Sequence, residues 1–362
     1  MEKSAVKRIV VKLGTGVLTS GVGCLELEKM RALCGQIAAA KKCGTQVVVV
    51  SSGAVGLGMG KLGLKSRPKD IRKVQMCSAV GQGVLIRTWE QLFESFGITV
   101  AQILLTRDDF DSFTRHRSIR ELLDVLLKTG VVPIINENDC ISAAETNIKF
   151  GDNDVLSALV ATLSKADALM ILSTASGLVD MRGTGEIVKN VARITPEIRS
   201  MAGGTSSATA VGGMITKIKA AEIATKSGCD VFIARGDAPD VITDILAGKN
   251  PGTKFAASKN AVSSRKRWLS YFGRTIAKIA VDSGAAKALR CSGGSLLPAG
   301  VRAVSGDFAK GEMVEIVDES NGEIVARGLA EVDAAALAQM RRHEGKCTHK
   351  YVVVHRDNMA LV

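Results

Sequence analysis

Residues Val131–Leu163 read VVPIINENDCISAAETNIKFGDNDVLSALVATL. The stretch opens on an apolar, β-branched run, Val131–Ile135, the pattern of a buried strand. It closes on Leu156, Leu159, Val160 and Leu163, spaced as one face of a helix. Between them lie two knots of acids and amides, Asn136-Glu137-Asn138-Asp139 and Asp152-Asn153-Asp154, neither holding a cation. A helix cap accounts for Asp152 or Asn153 but not for the whole set. A calcium loop of the EF-hand type starting at Asp152 would need Gly and Glu where Ser157 and Leu163 stand, so that reading fails.

The same strand-then-helix unit repeats outward in both directions. Further strands are predicted at Lys7–Leu13, Gln46–Ser51, Thr99–Leu105, Ala168–Leu172 and Asp230–Ala234. Helical faces are marked by Leu27, Met30, Leu33 and Ile37, and by Val84, Leu85, Leu92, Phe93 and Phe96. Alternation of this kind predicts an α/β fold, a parallel-rich open sheet sandwiched by helices. Ligands of such sheets bind beyond the carboxyl ends of the strands, so the loops there carry the functional reading.

The loop after the first strand is Lys12-Leu13-Gly14-Thr15-Gly16, with small residues beside a lysine, as an anion site needs. It lacks the spacing of a Walker A loop. After the second strand comes Ser51-Ser52-Gly53-Ala54, with two hydroxyls at a helix start. The later Gly58-Met59-Gly60-Lys61-Leu62-Gly63 matches GxGxxG. It falls well past the strand end and has no acid about 20 residues on, so a dinucleotide reading is rejected. Late in the domain, Val211-Gly212-Gly213-Met214-Ile215-Thr216-Lys217 forms a second glycine turn before a helix, again with a lysine. Two glycine–lysine constellations at opposite ends of one domain suit a polyanion such as a nucleoside triphosphate.

Composition fits this picture. Hydrophobic residues make up 46% and aromatics only 4%, so the core is predicted to be aliphatic. The net charge is +12, half of it in residues 251–362, which admits nucleic acid, anionic membrane, phosphorylated small molecules or simply a solvated surface. Eight cysteines occur without a CxxC pair, which suits reduced thiols and a cytoplasmic location. The set His343, Cys347, His349 and His355 lacks paired-ligand spacing for a metal. The amino-terminal apolar run is too short for a leader, and no run reaches membrane-spanning length.

The pattern changes after about Asp244. The polar stretch Gly248–Gly273, with Arg265-Lys266-Arg267, reads as a connection, and the first domain is taken to end at 255 with a linker over 256–273. Short strands with turns are predicted at Ile276–Val281, Gly300–Val304, Met313–Val317, Ile324–Leu329 and Tyr351–Val354, giving a small β-rich domain over 274–362.

The stretches VVKLGTGVLTS, VVVVSSGAVGLG, SAVGQGVL, VAQILLTRDDF, VPIINENDCISAAE, KFGDNDVLSALVA, GGMITKIKAAEIA and HRDNMAL together resemble the glutamate 5-kinases of the amino-acid kinase family, which carry a C-terminal PUA domain. The resemblance covers nearly the whole chain, in order. It implies phosphoryl transfer from Mg-ATP to the side-chain carboxylate of L-glutamate, in proline synthesis. It implies catalytic roles for Lys12, Lys217 and Asp154, with the acid holding the two lysines. Substrate contacts would fall on Ser52, Gly53, Ala54, Asp139 and Asn153, with Asp139 available to the α-ammonium. Nucleotide contacts would fall on Lys12, Gly14, Thr15, Ser173, Thr174 and Val211–Lys217, with backbone amides from Gly14 and Gly53. Magnesium would arrive with the nucleotide and need no protein ligand. L-proline is expected as an inhibitor at the glutamate site, and a homo-oligomer, dimer or tetramer, is expected. RNA binding by a PUA-like barrel domain is weakly favoured by charge and disfavoured by the scarcity of aromatics for base stacking. The alternative is an RNA-binding or regulatory protein on a kinase scaffold. It draws on departures on the nucleotide side: Ser173-Thr174 where the family has Thr-Asp, Ala210-Val211 where it has Gly-Thr, and no Tyr or Asp-Pro after Leu178. Sister kinases of acetylglutamate, carbamate or a nucleotide are disfavoured by the tail and the paired acidic knots.

Overall fold

The computed structural model describes residues 6–111, 113–141, 153–180, 183–202, 213–258, 269, 275–342 and 351–361. The chain divides into two compact units, Met1–Asp109 with Thr114–Ala261, and Phe110–Phe113 with Val262–Val362.

The first unit contains strands β1 (Arg8–Leu13), β2 (Thr19–Gly21), β3 (Cys24–Leu25), β4 (Gln46–Ser51), β5 (Val100–Leu105), β6 (Val132–Glu137), β7 (Ala168–Ser173), β8 (Asn190–Val191), β9 (Asp230–Arg235) and β10 (Thr253–Phe255). All but β2 and β3 form an eight-stranded sheet in the order β5-β6-β4-β1-β7-β9-β10-β8. The six strands from β5 to β9 in that order are mutually parallel, and β10 runs antiparallel to β9. Each predicted strand is present within one or two residues of its expected ends. The polar stretch read as a connection from Gly248 begins too early, because Thr253 and Phe255 are fully buried and pair with Ile233 and Val231.

Strand β1 decides where a ligand can bind. The chain runs from β1 to β4 on one side of it and returns to β7 on the other, so β1 borders the crevice where strand order reverses. Side chains alternate across the sheet. Ile9, Val11 and Leu13 face one core, which they share with Leu33 and Ile37. Val10 and Lys12 therefore face the opposite layer, which holds the helix Asn153–Ser164.

The helices of this unit are α1 (Thr15–Leu18), α2 (Leu27–Lys42), α3 (Ala54–Lys61), α4 (Ile71–Glu94), α5 (Arg107–Asp111), α6 (Phe113–Lys128), α7 (Asn153–Ser164), α8 (Pro196–Met201), α9 (Met214–Lys226) and α10 (Val241–Leu246). The rejected GxGxxG run has a packing purpose. Gly58 lies in α3, where an added Cβ would sit 1.7 Å from the Cys77 carbonyl of α4. Gly81 in α4 would meet the Ala54 carbonyl at 1.8 Å. The two helix backbones touch, and only glycine permits it.

The second unit holds β11 (Ala277–Val281), α11 (Ser283–Ser292), β12 (Val301–Ser305), β13 (Met313–Asp318), β14 (Ile324–Ala330), α12 (Ala334–Arg342) and β15 (Val354–Leu361). The sheet order is β12-β11-β13-β14-β15, antiparallel except for β11 with β13. Register shifts at Ala280/Val281, Ile316/Val317 and Gly328/Ala330 introduce local bends and twist. The last strand starts where the predicted Tyr351–Val354 strand ends. Val353 and Val354 are buried, but His355–Asn358 are polar and lie on an edge strand, which masks the strand signal. The linker's basic cluster and the set His343–His349 lie outside the described residues.

Candidate active site

Asp154 sits in the first turn of α7, where the helix dipole favours a carboxylate. Its Oδ1 is 2.5 Å from Lys12 Nζ, and its Oδ2 is 2.9 Å from Lys217 Nζ. Lys12 comes from β1 and Lys217 from the first turn of α9, which packs against α7. The Thr216 hydroxyl donates a further bond to Asp154 Oδ2 at 3.1 Å. Asp154 is fully buried, and Lys12 and Lys217 are 4% and 7% exposed, so two ammonium groups and one carboxylate meet away from bulk water. Burial alone would raise the Asp154 pKa. The charges and hydrogen bonds of Lys12 and Lys217 together outweigh it and hold the carboxyl below its ordinary range. The cluster thus carries a net positive charge at the carboxyl ends of the central strands.

Beside it, Asn153 ties the ends of β4 and β6 together. Its Nδ2 donates to Ser52 Oγ at 2.8 Å, to Asn136 Oδ1 at 3.0 Å and to the Ser51 carbonyl at 3.3 Å. The Ser52 N–H donates to the Leu13 carbonyl, which joins this loop to β1. Gly53 has φ +111°, a conformation that side-chain-bearing residues rarely adopt, and it sets the sharp turn into α3. Ala54, the first residue of α3, is buried. Asp139 is half-buried after β6 and accepts a bond from the Ser78 hydroxyl at 3.3 Å.

Other expected contacts are arranged as follows. The Gly14 N–H donates to the Leu172 carbonyl at 3.1 Å, so that amide serves the sheet. Thr15 and Gly16 open α1, so the helix itself supplies no carbonyl one turn behind their amides. A Cβ at Gly16 would meet Thr174 Cγ2 at 2.9 Å, so a larger residue there would have to move the exposed Thr174 side chain. The Ser173 hydroxyl accepts from Ala175 N–H and shapes its own loop. Gly213 caps α9, Met214 is half-buried, and Ile215 is 63% exposed. Val211, Gly212 and Asp152 lie outside the described residues.

Sequence reading passed over a row of residues on α4. Trp89 Nε1 donates to Ser51 Oγ at 3.0 Å, and Gln82 Oε1 accepts from Asn136 Nδ2 at 2.8 Å. With Ser78 these positions share one helix face. A Gln at helical spacing within an apolar face was the signal that could have found them. Among the described residues no cluster of His, Cys, Asp or Glu is arranged to hold a metal, no helix is long and apolar enough to cross a membrane, and the seven cysteines are free thiols.

The model of the amino acid kinase family matches residues 7–235, and that of the PUA domain matches residues 277–352. The chain is 43% identical to a glutamate 5-kinase of Moorella thermoacetica, over 99% of this chain and 97% of that protein. It is 41% identical to one of Aliivibrio salmonicida, over 98% of each, and 38% identical to one of Dehalococcoides mccartyi, over the full length of both. Among solved structures, a carbamate kinase from Giardia lamblia bound to AMP-PNP superposes with a TM-score of 0.52 at 20% identity, covering 71% of this chain and all of that one. That likeness speaks to the fold of the first unit. Family model, full-length relatives and sheet topology agree: the chain belongs to the amino acid kinase family and carries a C-terminal PUA domain.

Proposed function

We infer that the chain is a glutamate 5-kinase. It transfers the γ-phosphoryl group of Mg-ATP to the side-chain carboxylate of L-glutamate, giving L-glutamyl 5-phosphate for proline synthesis. The observation that carries this reading is the Lys12–Asp154–Lys217 bridge beside Asn153. Full-length relatives named as glutamate 5-kinases support the choice of substrate.

The chemistry suits these residues. A carboxylate with an ordinary pKa of ~4.3 is already ionised at neutral pH, so the nucleophile needs no general base. One carboxylate oxygen attacks the γ-phosphorus as its bond to the ADP oxygen breaks, with no proton moved by the protein. What remains is to align two anions and neutralise charge on the migrating group. Lys12 and Lys217 take that role, and Asp154 stays ionised and fixes their positions. The first turns of α1 and α9 bring backbone amides to the phosphates. Magnesium comes with the nucleotide and is held by its phosphates.

Substrate identity falls to the acidic and amide groups. Glutamate brings an ammonium together with two carboxylates, and lysines alone would bind any anion. Asp139 pairs with the ammonium, while Ser52 and Asn153 hold the polar groups nearby. Proline shares the ammonium and α-carboxylate and inhibits at the same place. Thr174 and Val211, which depart from the family pattern, bear on nucleotide preference.

The test is glutamate-dependent ADP release with hydroxylamine trapping of the acyl phosphate, run with ATP, GTP and CTP. Hydroxamate formed in proportion to ADP supports the reading. ADP release without hydroxamate, or none above the glutamate-free rate, defeats it.

A further inference from the structure

The polar groups around Asn153 form a chain with a direction. The Glu137 backbone N–H, which can only donate, points at Asn136 Oδ1 at 2.9 Å. That bond fixes which end of the Asn136 amide is oxygen. Asn136 Nδ2 must then find an acceptor, and Gln82 Oε1 supplies it at 2.8 Å. Because Asn136 Oδ1 is an acceptor, Asn153 turns its Nδ2 toward it, and the Ser51 carbonyl, also only an acceptor, demands the same orientation. Asn153 Oδ1 is left buried with no hydrogen-bond partner among the described residues. A buried amide oxygen without a partner is costly unless a donor arrives to meet it.

Gln82 and Asn136 are 7% and 3% exposed, so water does not readily replace either bond. Gln82 is anchored on the α4 face whose other members, Ser78 and Trp89, bond to Asp139 and Ser51. One helix face thus supports the ends of two strands around the site, β4 and β6.

We propose that Gln82 is a positioning residue that holds the Asn136 side chain in place by accepting from its Nδ2, so that Asn153, oriented by Asn136 and Ser51, offers its carbonyl oxygen to the ammonium group of the bound amino acid. The inference rests on the glutamate-kinase reading and adds an atom and a direction to it. A site that offers acceptors to an ammonium discriminates against a diacid lacking one, because its buried groups then stay unpaired.

The experiment compares L-glutamate with glutarate, the same diacid without its ammonium, in the parent enzyme, Gln82→Met and Gln82→Glu. Methionine removes the acceptor at similar volume, and glutamate keeps it. Expected for Gln82→Met is a fall of at least about fivefold in the kcat/KM preference for L-glutamate over glutarate, with KM for ATP within about twofold. Gln82→Glu should hold the preference near the parent value. An unchanged preference in Gln82→Met, or equal losses for both variants together with a lower melting midpoint, overturns the proposal. A parent enzyme inactive on glutamate overturns the kinase reading and this inference with it; an active parent with an indifferent Gln82→Met overturns this inference alone.

Discussion

Lys12 Nζ lies 2.5 Å from Asp154 Oδ1, and the pair is shut away from bulk water, with the opposite carboxylate oxygen taken by Lys217. These residues are more than 140 positions apart along the chain for Lys12 and 63 for Lys217. A buried carboxylate is stable here because two cations face it, and the second cation keeps the cluster positive toward an arriving phosphate. Replacing Lys217 by methionine is expected to lower kcat by about 100-fold or more, the scale of losing one charge-stabilising donor. Arginine is not expected to rescue it, because a planar fork does not fit where a point charge meets one oxygen. Steady-state kinetics of both variants check this.

The pH profile follows from the direction of the Asp154 shift. Its carboxyl is held below the ordinary range in the folded protein, against an unfolded value of ~3.9. A group depressed in this way contributes its stability above the unfolded pKa and loses it as pH falls through the folded one. Asp154 therefore introduces no inflection above about pH 5 in either stability or kcat. With a nucleophile ionised throughout, kcat should stay flat from about pH 6 to 8. A limb with an apparent pKa of about 6.5 would point to a base that the mechanism lacks.

The α3–α4 contact makes a prediction about stability alone. Gly81→Ala places a methyl 1.8 Å from the Ala54 carbonyl and 2.4 Å from the Gly58 nitrogen, so the helices must separate. A loss of about 1–3 kcal/mol is expected, the range for overpacking. Gly83→Ala, two residues on in the same helix, meets nothing within 4 Å and should be neutral or stabilising by up to about 1 kcal/mol. Denaturant titration of the two variants side by side separates backbone contact from helix propensity.

Asp139→Ala is expected to raise the KM for glutamate tenfold or more, since a charge-assisted hydrogen bond is worth ~1.5–3 kcal/mol. KM for ATP should be unaffected, because this residue is reached from β6 and α4 rather than from the lysine-bearing elements. An unchanged glutamate KM in steady-state assays would remove Asp139 from the substrate site.

Much of this was written locally enough to be read from the chain. The strands of the central sheet announce themselves as β-branched runs, and their carboxyl ends name the loops that matter. Lys12 and Lys217 were legible from the glycine turns beside them, while the place of Asp154 between them came from the resemblance to the family rather than from the acidic knot itself. Three things were hidden for physical reasons. β15 carries His355–Asn358 on a sheet edge, so its strand pattern is polar. Gln82 and Trp89 look like ordinary members of an amphipathic helix, and their partners lie on other elements. The engagement of the Gly14 amide by Leu172 depends on the register between β1 and β7, which no local pattern encodes.

The most direct test of the account is the turnover of Asp154→Asn in the hydroxamate-trapping assay. The variant keeps the shape of the side chain but removes the charge between Lys12 and Lys217. The account expects kcat to fall by about 100-fold or more with the KM for glutamate within about threefold, in protein that still unfolds cooperatively. A variant with kcat near that of the parent would contradict it.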